Sequence, residues 1–157
     1  MHAQTLETLN ISLNPLGDTP NGAMLLEGLT ENKSVTTVGL SACDFGHQTS
    51  GRAFINLLKN NSTLTSIDLS CNQMFQDPSI EDSKEGEGSE KSPGLDEELE
   101  AEVVANKSLH FLDLRLNPVE PGSLRNIKKI LTKRTAEKKR ELRKQYQKAP
   151  EHWDTAY

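Results

Sequence analysis

Aromatic residues are scarce in this chain: four Phe, two Tyr and one Trp, 4% of the sequence. The hydrophobic fraction, 34%, is also lean for 157 residues. With so little large apolar surface, part of the chain is expected to stay outside any core. The two cysteines, Cys43 and Cys71, form no C-x-x-C. That argues against a disulfide framework or a thiolate zinc site and points to free thiols. The four histidines, His2, His47, His110 and His152, share no metal-ligand spacing. Neither G-x-x-x-x-G-K-[ST] nor G-x-S-x-G occurs, so a P-loop and a hydrolase elbow find no support. No apolar run approaches the length of a membrane span, and the first residues lack the basic and apolar parts of a signal peptide. The expectation is a cytoplasmic, non-enzymatic protein with no cofactor.

What the chain does have is a block that returns four times. Residues 6–16 read L-x-x-L-x-L-x-x-N-x-L, and residues 35–45, 64–74 and 109–119 repeat the pattern. Leu, Val or Ile fills the first, fourth and sixth slots of every copy. The first two intervals are 29 residues and the third is 45. Between blocks the pattern turns helical: residues 22–29 align with residues 51–58, with apolar positions Leu25, Leu26 and Leu29 matched by Phe54, Ile55 and Leu58. A short strand plus a helix cannot bury its apolar side alone, but stacked units can. The ninth slot holds Asn14, Cys43, Asn72 and Asn117, whose side chains can form a ladder between units. Cys43 is therefore expected to be structural.

On these residues the chain resembles the leucine-rich repeat proteins of the ribonuclease-inhibitor-like class. The resemblance spans residues 6–131, with repeats starting at 6, 35, 64 and 109. It implies an α/β leucine-rich repeat solenoid: a right-handed superhelix with a curved parallel sheet inside and helices outside. That class includes ribonuclease inhibitor, the Ran GTPase-activating protein, NOD-like receptor sensors and ciliary axoneme components. The resemblance carries fold more strongly than function.

Three features individualise the chain. Five N-x-S/T sequons occur, and Asn32, Asn61 and Asn106 each stand at the end of a helical stretch. They are expected to close the helix in a left-handed conformation rather than to carry glycans. The third unit holds sixteen extra residues, and residues 76–94 are polar, acidic and rich in Gly, Ser and Pro, expected as a disordered insertion. A helix should resume near Asp96, burying Leu99, Val103 and Val104. After the fourth block, Leu124, Ile127, Ile130 and Leu131 form a stripe that can cover the last unit. Residues 132–148 then read as an exposed basic helix, and residues 149–157 as an extended tail. The five residues before Leu6 are too few for a cap, so the array is expected to belong to a longer one.

Charge is partitioned along the chain. Residues 125–148 contain 11 basic and 2 acidic residues, and residues 77–102 contain 11 acidic and 2 basic. The two patches can neutralise each other, or the basic helix can seek an acidic partner. On the concave face, the third, fifth and seventh slots form columns about 4.8 Å apart. In the first three units these are mostly small and polar. The fourth places Phe111, Asp113 and Arg115 there, beside Asp68 and Ser70 of the third, and aromatic and Arg residues are favoured anchors. Asp68 and Asp113 share a column, with Arg115 placed to neutralise them. The expected function is a protein-interaction scaffold. Its concave site is Asp68, Ser70, Phe111, Asp113 and Arg115. Its acidic-partner site is Lys133, Arg134, Lys138, Lys139, Arg140, Arg143 and Lys144. A cytoskeletal or ciliary setting with microtubule or axonemal partners is the narrower expectation, and nucleic acid is disfavoured for want of stacking aromatics. Resemblance offers two alternatives, a small-GTPase regulator like the Ran-activating protein and a fragment of a NOD-like sensor.

Overall fold

The computed structural model describes residues 5–17, 20–75 and 94–148. The acidic insertion, apart from Gly94, and the tail after Lys148 lie outside the described residues. Four short strands, β1 (Thr8–Asn10), β2 (Thr37–Gly39), β3 (Ser66–Asp68) and β4 (Phe111–Asp113), pair in parallel in the order β1-β2-β3-β4. Helices α1 (Pro20–Glu31), α2 (Arg52–Asn60) and α3 (Leu95–Ala105) connect them, and α4 (Pro121–Lys148) follows β4. A π-helical turn, His47–Gly51, leads into α2.

Register follows the repeat. Thr8 faces Thr37, Thr37 faces Ser66 and Ser66 faces Phe111, and the next two slots pair likewise. The long third interval leaves this register unchanged. Each strand turns its fourth-slot residue inward, and Val38 and Ile67 are buried against Leu26, Phe54, Leu57 and Leu99 from the helices. Phe54 and Phe75 meet edge to face with centroids 6.1 Å apart. The helical stripes differ in detail from the expected ones. Ile55 is half-buried and Leu57 takes the interior position, while Val104 is exposed and only Leu99 and Val103 of α3 are fully buried. The 3.6-residue period allows either choice; the angle at which each helix meets its neighbour selects one.

The ninth-slot ladder is present. Asn72 donates to the carbonyls of Leu40 and Leu69 and accepts from the amides of Cys43 and Phe45. Asn117 repeats the motif, donating to Leu69 and accepting from Met74. The Cys43 thiol, fully buried, donates to Ile11 O at 3.4 Å, and burial pushes its pKa up. That is the setting of a structural thiol rather than a reactive one.

A second ladder corrects the reading of the sequon asparagines. Asn61 and Asn106 are extended, with φ of −98° and −66°, not left-handed. Asn61 donates to Leu29 O and Asn32 O of the preceding unit and accepts from the amides of Thr63 and Leu64. Asn106 does the same with Leu58 O, Asn61 O and the amides of Ser108 and Leu109. These residues tie each helix end to its neighbour and start the next strand. Left-handed backbone occurs instead in the eighth slot, at Leu13, Ala42, Cys71 and Leu116, with φ of 64°, 51°, 59° and 58°. There the chain leaves the strand, and the side chain points outward: Leu13 is 80% exposed and Leu116 78%.

Candidate protein-binding site

β4 ends the sheet among the described residues, and its character is set by three side chains. Phe111 is 51% exposed on the concave face. Asp113 and Arg115 form a paired unit: Arg115 Nε donates to both carboxylate oxygens, and its Nη2 lies 2.6 Å from Asp113 Oδ2. This Arg115 hydrogen bond holds the Asp113 carboxyl below the usual range. Asp68 sits beside Asp113 in register, but its Oδ1 accepts from the amide and hydroxyl of Ser70. Ser70 Oγ also lies 2.9 Å from Ser41 Oγ. Arg115 hydrogen-bonds Asp113 and acts on Asp68 through charge alone, while the hydrogen bonds of Asp68 come from Ser70 two residues on. The five predicted concave residues lie on two adjacent strands or two residues beyond their ends, and Ser70 among them is buried.

α4 is one continuous helix of 28 residues, about 42 Å long at 1.5 Å per residue. Pro121 occupies its first turn, where the missing N–H costs nothing. Glu120 Oε2 accepts from the Ser123 amide, and backbone hydrogen bonds lower the Glu120 pKa. Ile127 and Leu131 are buried, with Leu124 and Ile130 packed beside them, so this half covers the last unit. Residues 132–148, read from sequence as an exposed helix, continue α4 without a break. Arg134 and Thr135 are half-buried, and residues 136–147 are exposed.

The basic side chains do not act as one patch. Arg134 turns inward, donating to Val103 O, Val104 O and Leu109 O at 2.7, 2.9 and 3.2 Å. It caps the carbonyl end of α3, and burial lowers its pKa. It is therefore a packing residue in this structure, outside the exposed cationic set. Helical spacing puts Lys133, Arg140 and Lys144 along one face, and Lys128, Lys139 and Arg143 along another. Lys133 and Lys138 line a shallow cleft of about 600 Å³ with Val104 and His110. Lys128 and Lys139 flank a larger groove of about 780 Å³ between β4 and α4. Its walls are Phe111, Leu112, Leu124, Ile127, Leu131 and Ala136, and Arg115 stands at its edge. Lys128 was absent from the sequence-derived site; its signal was the spacing of eleven residues, three helical turns, from Lys139.

Among the described residues the carboxylates of α3 form no ion pair with the cations of α4. The two ion pairs among the described residues are Arg115–Asp113 and Arg52–Glu98, the latter at 3.5 Å. Asp96 instead accepts from the Glu120 amide and Glu100 from Asn126. Among the described residues no group of three His, Cys, Asp or Glu side chains could hold a metal ion, and no helix is long and apolar enough to cross a membrane.

Stacked parallel strands in fixed register, an asparagine ladder and outer helices decide the fold. This is a leucine-rich repeat fold. The family model described as "Leucine Rich repeat" matches residues 2–19 and 60–81. No curated protein matches the chain in sequence. Among solved structures, this leucine-rich repeat array is similar to leiomodin-1 actin-binding site 2, with 17% identity, TM-score 0.50 and coverage of 88% of this chain and 87% of that one. It is also similar to the tropomodulin C-terminal domain of Caenorhabditis elegans, with 14% identity, TM-score 0.55 and 90% coverage of each chain. At such identities the likeness is one of fold.

Proposed function

We propose that this leucine-rich repeat chain is a non-catalytic protein-interaction scaffold that works on the cytoskeleton. Its partner surface combines the concave residues Asp68, Phe111, Asp113 and Arg115, with buried Ser70 holding Asp68 in place, and the exposed cations of α4: Lys133, Lys138, Lys139, Arg140, Arg143 and Lys144. The observation that carries this reading is that the half-exposed Phe111 ring and Arg115 line one groove, at the sheet edge that α4 flanks with positive charge. An exposed aromatic and an arginine in one groove have the composition of an interface anchor. Binding is favoured over catalysis because Asp68 and Asp113, the side-by-side carboxylates, are each engaged by the residue two positions on, Ser70 and Arg115.

The cytoskeletal part draws support from the fold shared with leiomodin-1 actin-binding site 2. The microtubule variant rests on charge: a cationic helix suits an acidic filament surface. A small-GTPase regulator or a sensor fragment would rest on resemblance alone. Co-sedimentation of the chain with actin filaments and, separately, with microtubules tests the reading. Three proteins are compared: the full chain, Phe111→Ala with Arg115→Glu, and a chain ending at residue 135. The full chain is expected to pellet with one of the filaments at low salt, and the other two to pellet less. Pelleting should fade as salt rises. Absence of the full chain from both pellets at low salt would sink the cytoskeletal reading.

A further inference from the structure

We propose that the groove between β4 and α4 receives an extended acidic peptide, added to the free edge of β4 as a fifth strand. This deepens the scaffold reading and rests on it. The main-chain geometry comes first. Phe111 N donates to Thr65 O, Asp113 O accepts from Leu69 N and Arg115 O accepts from Cys71 N. The peptide groups of Phe111 and Asp113 therefore face β3, with the His110 N–H sharing Thr65 O at the start of the strand, and in a parallel ladder those of Leu112 face away. On that outer edge the His110 carbonyl is taken by Thr135 Oγ1 and the Leu114 carbonyl by Asn117. Leu112 lies between these two brackets, its N–H and C=O directed into the groove. The sheet has no further strand among the described residues to receive them.

Side chains then select the occupant. A strand laid along Leu112 alternates its residues between two sides. On the concave side it meets Phe111 and Arg115 together, and the groove adds the cations Lys128 and Lys139 and the apolar Leu124 and Ala136. Asp113 is the one carboxylate lining the groove, and Arg115 already holds it. The net field is positive and the lining mixes cations with apolar groups, so a peptide carrying both acidic and apolar residues fits it. Main-chain pairing supplies affinity and the alternating side chains supply selectivity, as in strand addition generally.

The test is an NMR titration of the full chain, labelled with nitrogen-15, with a synthetic heptapeptide alternating Glu and Leu. Two controls accompany it: the same peptide with Lys for Glu, and the acidic peptide N-methylated at alternate amides. The acidic peptide is expected to shift the amides of Phe111, Leu112 and Lys128. Its affinity should fall about tenfold in Lys128→Glu with Lys139→Glu, whose exposed positions leave the melting temperature unchanged. The N-methylated peptide should lose a similar factor on the wild-type chain, a control that needs no protein variant. The Lys peptide should produce no shift at Leu112. Any of three outcomes overturns the proposal: no shift from the acidic peptide, equal binding of the Lys peptide, or undiminished binding after N-methylation. Contacts from Leu112 in the free chain to another segment of the same chain, or to a second copy, would overturn it as well. Filament pelleting that persists while the titration fails would remove the groove and leave the scaffold reading standing.

Discussion

An alanine at position 22 would set its Cβ 2.7 Å from the Gly17 carbonyl oxygen and 2.9 Å from the Phe45 ring. Gly51 stands at the matching place in the next unit, where the nearest atom to such a Cβ is a Leu95 methyl at 3.5 Å, an ordinary contact. Two glycines that look equivalent in the repeat therefore have different reasons to be there. Gly22→Ala is expected to destabilise by about 1–3 kcal/mol, since backbone and a buried ring must give way. Gly51→Ala should be neutral or stabilising by up to about 1 kcal/mol, because alanine favours helix. Urea unfolding of both variants checks the pair, and equal effects would refute the distinction. The asparagines carry a related lesson. Their positions were legible from the repeat, but the conformation of Asn61 and Asn106 was not. Helix-end statistics favour a left-handed residue, whereas here the amide side chain reaches back to the preceding unit. That choice depends on a neighbour 29 or 45 residues away, which no local window contains.

Among the elements, α4 shows where a sequence reading stops. Its apolar stripe and basic second half were both visible as patterns. Invisible was the point at which the helix leaves the body of the molecule, because this depends on how α4 crosses β4 and the end of α3. Arg134 and Thr135 pin it one turn beyond Leu131. A basic run offers no means of telling the one arginine that caps a helix from the lysines around it. Arg134→Ala should expose three carbonyls to the loss of a charged donor and destabilise by about 1–3 kcal/mol. Lys138→Ala, on the exposed part of the helix, should stay within about 0.5 kcal/mol of wild type. Thermal melts of both proteins distinguish them, and an unaffected Arg134→Ala would return that residue to the exposed cationic set. The groove has the same origin as the cap. Phe111, Asp113 and Arg115 were predicted for it, but Leu112 was not, and Lys128 and Ala136 join them only because α4 lies alongside the last strand.

At the level of the whole molecule, the fold was legible because its signal is repeated: four copies of one block fix strand, register and order together. The third interval, 45 residues against 29, does not disturb Ser66 facing Phe111. Register is set by the blocks and their ladders rather than by the length of what joins them. Partner identity was not legible, since it depends on the few slots that the repeat leaves free.

The eighth slot has a consequence for heat. In each unit a non-glycine residue holds left-handed backbone, a conformation that costs an L-residue about 1 kcal/mol or more. Asparagine tolerates it better than leucine does. Leu13 and Leu116 contact mainly solvent, so Leu13→Asn with Leu116→Asn should raise the melting temperature by a few degrees, readable by scanning calorimetry. A lower melting temperature would mean that these leucines hold contacts worth more than the strain. Four such turns make the array less thermotolerant than its own architecture permits, a latent margin open to protein engineering without touching the groove or the cationic helix.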